Sequence, residues 1–163
     1  MTRSTHLDAA GRARMVDVSD KPVSRRTARA SGSIRMSGEA LSALGRGELP
    51  KGDAFAVARV AGIQAAKRTP DLVPLCHPLP LDHVAVDLEA DPDLPGVRVR
   101  SEIVVTARTG AEMEALVAVA AALLSIYDMA KSLDREMSLE AIRLESKEGG
   151  RSGVWSRGGE GGR

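Results

Sequence analysis

Prolines at 70, 74, 78 and 80 put half of the chain's eight into one short stretch, PDLVPLCHPLPLDH, residues 70 to 83. Proline fixes φ and has no backbone N–H, so this stretch can form neither a helix nor a central strand. It must run as a stiff connection between the periodic segments on either side. The same stretch holds the only cysteine, Cys76, and two of the three histidines, His77 and His83. Rigidity and reactive side chains therefore coincide in one segment.

The flanking segments are readable by period. Residues 1–26 carry little periodicity and read as an N-terminal arm. TARASGSIRM, 27–36, alternates small or apolar with polar residues, as a strand does. SGEALSALGRG, 37–47, reads as a short helix with Ser37 at its N-cap. Asp53 caps a longer helix over 54–68, which Pro70 ends. HVAVDLE, 83–89, and VRVRSEIVVTA, 97–107, alternate on either side of the turn DPDLPG and predict a hairpin. Thr109 and Glu112 fit a capping box opening a long helix that runs to about residue 134. LEAIRLES, 139–146, is a last strand, and residues 148–163 form a glycine-rich tail expected to be mobile.

The order β, α, β, β, α, β predicts an α+β, ferredoxin-like domain over 27–147: an antiparallel sheet with two long helices on one face. Ala28, Ala30 and the valine-rich hairpin offer more apolar surface than two helices should cover. The helix over 115–126 is apolar nearly all round. Both features predict an oligomer formed through the sheet and the helices, with a site shared between subunits.

Composition narrows the function. A formal net charge of +1 gives no global field for DNA or a membrane surface. Aromatics at 2% leave little on which to stack bases, so nucleic-acid binding is not expected. One cysteine excludes an internal disulfide. The first twenty residues lack the apolar core of a signal peptide, and the apolar run over 115–124 is too short to span a bilayer. A cytoplasmic location with no membrane partner is the expectation. Among 23 basic residues only Lys21, Lys51, Lys67, Lys131 and Lys147 are lysine. Arginine keeps its proton, whereas a desolvated lysine can titrate near neutrality, so lysines in an arginine-rich chain draw attention.

Several chemistries are open to Leu75, Cys76 and His77. A lone Cys–His pair lacks zinc-ligand spacing. A cysteine nucleophile would need a base such as His6 or His83. A rigid loop could instead present backbone amides and His77 to a ligand, or simply connect two elements around a buried thiol. YDMAK places Asp128 and Lys131 three apart on one helix face, next to an apolar stretch that favours burial and acid–base use. Glu112 and Glu114 suit a helix N-terminus, and Lys67 with Arg68 a helix C-terminus. Lys51 sits beside a helix N-terminus, where a cation is disfavoured unless an anionic ligand relieves it.

Taken together, MVDVS, KGD.FA.AR.AGI.AAKRT, DL.PLCHPL, TG.EMEAL, IYDM.K and SK.GG.SG resemble the molybdenum cofactor biosynthesis protein C family, the cyclic pyranopterin monophosphate synthases. The resemblance runs from about His6 to Gly153, in order and with similar spacing. It implies a ferredoxin-like subunit in a homohexamer, a trimer of dimers, with active sites at the dimer interface. It implies a lyase that converts a cyclised GTP derivative, 3',8-cyclo-7,8-dihydroguanosine 5'-triphosphate, to cyclic pyranopterin monophosphate and diphosphate. Asp128 and Lys131 match catalytic positions, with Lys51 and His77 close to them. Leu75, Cys76, His77, Met113 and Glu114 match substrate-contacting positions, and Glu112 is placed with these. Arg26, Lys67 and Lys147 match basic positions around the phosphates or the ring. Lys21 and Trp155 match nothing used. No resident metal or cofactor is implied, with Mg²⁺ left as an option on the diphosphate. Competing readings are an RNA-binding module, a small-molecule sensor, or an assembly subunit whose charges only fix geometry.

Overall fold

In a computed structural model, residues 10–151 and 153–158 are described. The order is β1 (Ser24–Arg35), α1 (Gly38–Gly45), α2 (Ala54–Lys67), α3 (Thr69–Leu72), β2 (His83–Asp91), β3 (Gly96–Ala107), α4 (Glu112–Ala130), β4 (Ser138–Glu148) and β5 (Trp155–Ser156). The strands form one antiparallel sheet in the order β2-β3-β1-β4-β5, so the architecture is α+β. Helices α2 and α4 lie against each other and against the sheet.

Local chemistry sets most boundaries. Ser37 caps α1 through a bond from the Ala40 N–H to its hydroxyl, and the Asp53 carboxylate does the same for α2 from Ala56 N–H. Thr109 does not cap α4. That helix starts at Glu112 behind Ala111, with no side-chain cap, and ends at Ala130 rather than 134. Pro70 does not simply follow α2; it sits in the first turn of α3, where its missing N–H costs nothing. Trp155 and Ser156 add a two-residue strand to the edge of β4, inside the segment read as tail.

The sheet alternates more strictly than its composition suggested. Ala28, Ala30, Val97 and Val99 are all buried under the helices. Ser101, on the same face, donates its hydroxyl to the Ala115 carbonyl in α4. The open face is therefore not apolar, which corrects the expectation of an uncovered hydrophobic sheet. It carries Arg29, Ser31, Arg98, Arg100, Glu102, Arg143 and Glu145 around a shallow trough. Its arginines are answered by carboxylates: Arg29 pairs with Glu102 and Glu148 at 2.6 Å each, Arg98 with Asp91, and Arg143 with Glu145 at 2.7 Å. A bulge in β4 opposite Gly32 puts Ala141 at φ 52, the only non-glycine residue with positive φ among those described.

The contact between α2 and α4 is built from small residues. Ala58, Gly62 and Ala66 of α2 are buried, as are Ala115, Ala118 and Ala122 of α4. A Cβ on Gly62 would come within 2.8 Å of the Ala118 carbonyl oxygen and 3.2 Å of Val86. Gly32 of β1 is similarly tight, under Val119 at 2.8 Å. By length and composition α4 is apolar enough to cross a membrane, but its place here is against the sheet and α2.

In an ordinary helix interior, Gly→Ala stabilises by roughly 0.5–1 kcal/mol. At Gly62 the new methyl meets backbone, so Gly62→Ala should instead cost about 1–3 kcal/mol. Urea unfolding should show this, whereas Gly38→Ala, with open space around it, should leave the midpoint unchanged or raised.

Candidate active site

Lys51, Asp128 and Lys131 meet where α2 begins and α4 ends. The Lys51 ammonium donates to Asp128 Oδ2 at 2.6 Å and to the Asp128 carbonyl at 3.0 Å. Lys131 Nζ lies 2.7 Å from the other carboxylate oxygen. Gly52, at φ +88, makes the turn between Lys51 and the capping Asp53. The tension of a cation beside the start of α2 is resolved by α4, whose C-terminal carbonyls form a negative helix end. The two lysines hold the Asp128 carboxyl down to about 2, Lys131 contributing most and Lys51 next. Asp128 is thus ionised across the neutral range and takes up no proton there. Its chemistry is to hold and aim two ammonium groups.

His77 lies at the opposite end of α4. With Leu75, Cys76, Met113 and Glu114 it lines a cavity of about 410 Å³ that the arm segment closes with Val16 and Val18. The proline-bounded loop is therefore a wall of this cavity. Glu114 is only 3% exposed and pairs with no cation among the described residues. Burial pushes its carboxyl up from the usual range, and Glu112 adds to this. Burial also raises the Cys76 thiol, followed by the fields of Glu114 and Glu112. A thiol shifted that way is a poor nucleophile at neutral pH. Asp17 is held low by the Ser19 backbone N–H and hydroxyl, with smaller contributions from Arg14 and His77.

A second cavity, of about 360 Å³, shares Lys21, Thr109, Gly110 and Glu112 with the first. Arg26, Arg108, Lys147 and Arg151 complete its charged lining. Lys147 pairs with Glu112 at 3.1 Å. Gly149 and Gly150, both at positive φ, wrap the end of β4 around Arg26, where a Cβ on Gly150 would run into the guanidinium.

The four residues read as catalytic do not converge within one chain. Lys51, Asp128 and Lys131 form one group and His77 belongs to the other. Glu112 and Asp128 lie on the same helix, roughly 24 Å apart along its axis at 1.5 Å per residue. Nor are the first three buried: their side chains are 48%, 54% and 51% exposed. Asp128 and Lys131 point away from the core because the buried side of that turn is taken by Ile126, Met129 and Ala130. Lys67 is exposed in the last turn of α2 and lines neither cavity. His83 is exposed at the start of β2, and His6 lies outside the described residues. Sequence reasoning missed Val16, Val18, Lys21, Arg108 and Arg151. The MVDVS motif flagged the first two; the three cations carried no periodic or spacing signal.

A family model described as the MoaC family matches residues 15–150. The chain is 56% identical over 155 residues to a protein of Methylobacterium nodulans named cyclic pyranopterin monophosphate synthase, covering 95% of this chain and 97% of that one. It is 54% identical over 153 residues to a protein of the same name from Cereibacter sphaeroides, covering 94% and 96%. Against another of that name from Nostoc sp. it is 54% identical over 149 residues, covering 91% and 89%.

A buried, unpaired carboxylate opposes folding once it is ionised. Glu114→Gln should therefore raise the thermal midpoint at pH 8 and lose that advantage below the unfolded carboxyl range, near pH 4. Scans of both proteins at the two pH values check this.

Proposed function

The chain belongs to the MoaC family, and on that premise we propose that it is a cyclic pyranopterin monophosphate synthase of molybdenum cofactor biosynthesis. The reaction is a lyase conversion of (8S)-3',8-cyclo-7,8-dihydroguanosine 5'-triphosphate to cyclic pyranopterin monophosphate with release of diphosphate. The subunit is read as ferredoxin-like; the strand order β2-β3-β1-β4 with two long helices supports this. A cytoplasmic location goes with the reading.

The carrying observation is the pair of lysines fixed on one ionised carboxylate, at the far end of α4 from the His77 cavity. Ring opening and reclosure need protons delivered and removed several times, without electrons. Lys51, Lys131 and His77 are the proton carriers, and Asp128 keeps both ammoniums in place. In the phosphorus step a sugar hydroxyl bonds to the α-phosphorus. The bond from that phosphorus to the β-phosphate bridging oxygen breaks, and diphosphate leaves with the electron pair. Cations around the tail stabilise the developing charge. Mg²⁺, where it takes part, enters with the diphosphate as part of the substrate.

The separation along α4 supports reading the site as composite. Its outer face is an apolar stripe: Met113 and Leu124 are exposed, with Val117, Ala120 and Ala121 half-buried between them. Two copies packed antiparallel about a two-fold axis between Ala120 and Ala121 would set Val117 across from Leu124. Met113 would face the partner's Asp128. Each of two sites would then combine the His77 cavity of one subunit with the lysine pair of the other. Closing the helix faces would also remove the exposed lysines from water, where acid–base use is strongest. Three such dimers make the hexamer of this reading.

Purified protein should release diphosphate from the cyclised triphosphate, which a sensor or scaffold would not do. Lys51→Arg, Lys131→Arg or Asp128→Asn should each lower kcat by about 10²-fold or more, since arginine gives up no proton and asparagine releases both lysines. Activity within severalfold of wild type in all three would defeat the assignment. A second measurement tests the composite site. Inactive His77→Ala and Asp128→Asn proteins, mixed and allowed to exchange subunits, should recover roughly a quarter of wild-type activity, because one site in each mixed dimer is intact. No recovery after demonstrated exchange would place both residues in one subunit's site.

A further inference from the structure

Asp128 holds two ammonium groups, but that contact does not fix the main chain that carries them. Lys131 follows the last residue of α4, and Lys51 stands in the turn before α2. A second carboxylate, Asp134, lies in the connection from α4 to β4 and, among the described residues, makes no ion pair. Both of its oxygens are taken by backbone. Oδ2 accepts the Ser37 N–H at 2.7 Å, and Oδ1 accepts the Glu136 N–H at 2.8 Å. Bonds from N–H groups to an ionised carboxylate are short and strong. Ser37 is also the N-cap of α1, so this carboxylate lies at the positive end of that helix.

The segments joined in this way are the two that carry the lysines. On one side the chain leaves α4 in a tight turn. The Lys131 N–H donates to the Tyr127 carbonyl at 2.9 Å, and the Leu133 and Asp134 N–H groups both donate to the Ala130 carbonyl, at 2.9 and 3.2 Å. The Tyr127 hydroxyl reaches the Arg135 carbonyl at 3.1 Å. Asp134 is thus fixed relative to Lys131. On the other side α1 passes into the Lys51 turn without slack. The Arg46 and Glu48 N–H groups donate back to the Ser42 and Ala43 carbonyls at 3.1 and 3.0 Å, and Leu49 is buried. The Gly52 N–H closes on the Leu49 carbonyl at 3.0 Å. Pairing of Arg35 in β1 with Ser138 in β4 brings the two segments side by side.

We propose that Asp134 is a positioning residue: it locks the turn after Lys131 to the start of the helix that leads to Lys51, and so holds both lysines in one frame. The proposal rests on the lyase reading of the lysine pair. Asp134 touches neither ammonium and acts through the backbone alone. An ammonium on a four-carbon stem is aimed only as well as the chain that bears it, and a misplacement of about 1 Å costs on the order of 10²-fold in rate. Asp128 then sets the distance between the two charges, and Asp134 sets where the pair stands.

Asp134→Ala should lower kcat for diphosphate release by roughly tenfold and leave KM within about twofold. Asp134→Asn keeps one acceptor oxygen and should fall between the alanine variant and wild type, and it carries the test if the alanine variant does not fold. Ser37→Ala separates position from stability. It loses the cap of α1 but keeps the N–H that Asp134 accepts, so it should lower the thermal midpoint and leave kcat unchanged. Acylation by acetic anhydride, followed residue by residue with peptide mass spectrometry, gives a readout without turnover. In Asp134→Ala it should quicken severalfold at Lys51 and Lys131 and stay unchanged at Lys67. Wild-type kcat in the folded Asp134 variants, unchanged acylation at Lys51 and Lys131, or an equal loss of kcat in Ser37→Ala overturns the proposal. Should wild type release no diphosphate from the cyclised triphosphate, the lyase reading fails by itself; the acylation rates still decide whether Asp134 holds the two lysines.

Discussion

The close crossing of α2 and α4 governs where everything else can stand. Gly62 lies against the Ala118 backbone, with alanines above and below on both helices. Side chains this small let two helix axes approach closely, and dispersion over the whole contact does the work of larger apolar side chains at this crossing. Antiparallel alignment then follows from the strand order. It brings the beginning of α2 to the end of α4, so Lys51 reaches a carboxylate and a helix-end carbonyl together. The other end of the same helix pair delimits the His77 cavity. One packing contact thus fixes the lysine pair and bounds the His77 cavity, and also keeps the two apart.

Charge is distributed with similar economy. On the open sheet face, cross-strand arginines and carboxylates answer one another, and the face is polar without being strongly charged. Around the start of α4, the Arg26 and Arg108 guanidiniums are held by carbonyls and, among the described residues, make no ion pair. At the end of α4 two lysines share one carboxylate, which leaves that group positive by one. Three treatments of the same side-chain types give a solvated surface, a cationic cavity and a lysine pair fixed on one carboxylate. The Coulomb term differs among them because of the partner, not because of the residue.

The order of elements was legible because period is a local property. Ser37 and Asp53 cap the helices they precede, and the hairpin pairs His83 to Asp91 with Gly96 to Val104. Thr109 does not cap α4 because Gly110 follows it and the chain turns before becoming helical at Glu112, so the motif's spacing is met without its geometry. The apolar count of the strands suggested an uncovered face; strict alternation puts those residues on one side, and counting ignores sides. Asp128 looked buried from its neighbours in sequence, yet it occupies the outer side of its turn. The motifs named the lysine pair and the loop, but only tertiary distance shows that the two stand apart within one chain. Arg108 and Arg151 left no trace in spacing, since loops bring them to the cavity.

The scarcity of lysine has a practical side. Arginine does nearly all the solvating in this chain, and four of its five amines, Lys21, Lys51, Lys131 and Lys147, lie at the two ends of α4 where the chemistry is placed. An acylating or reductively alkylating reagent would find few targets elsewhere. Amine labelling of this protein, ordinarily a map of general surface, becomes a report on whatever covers the two ends of α4.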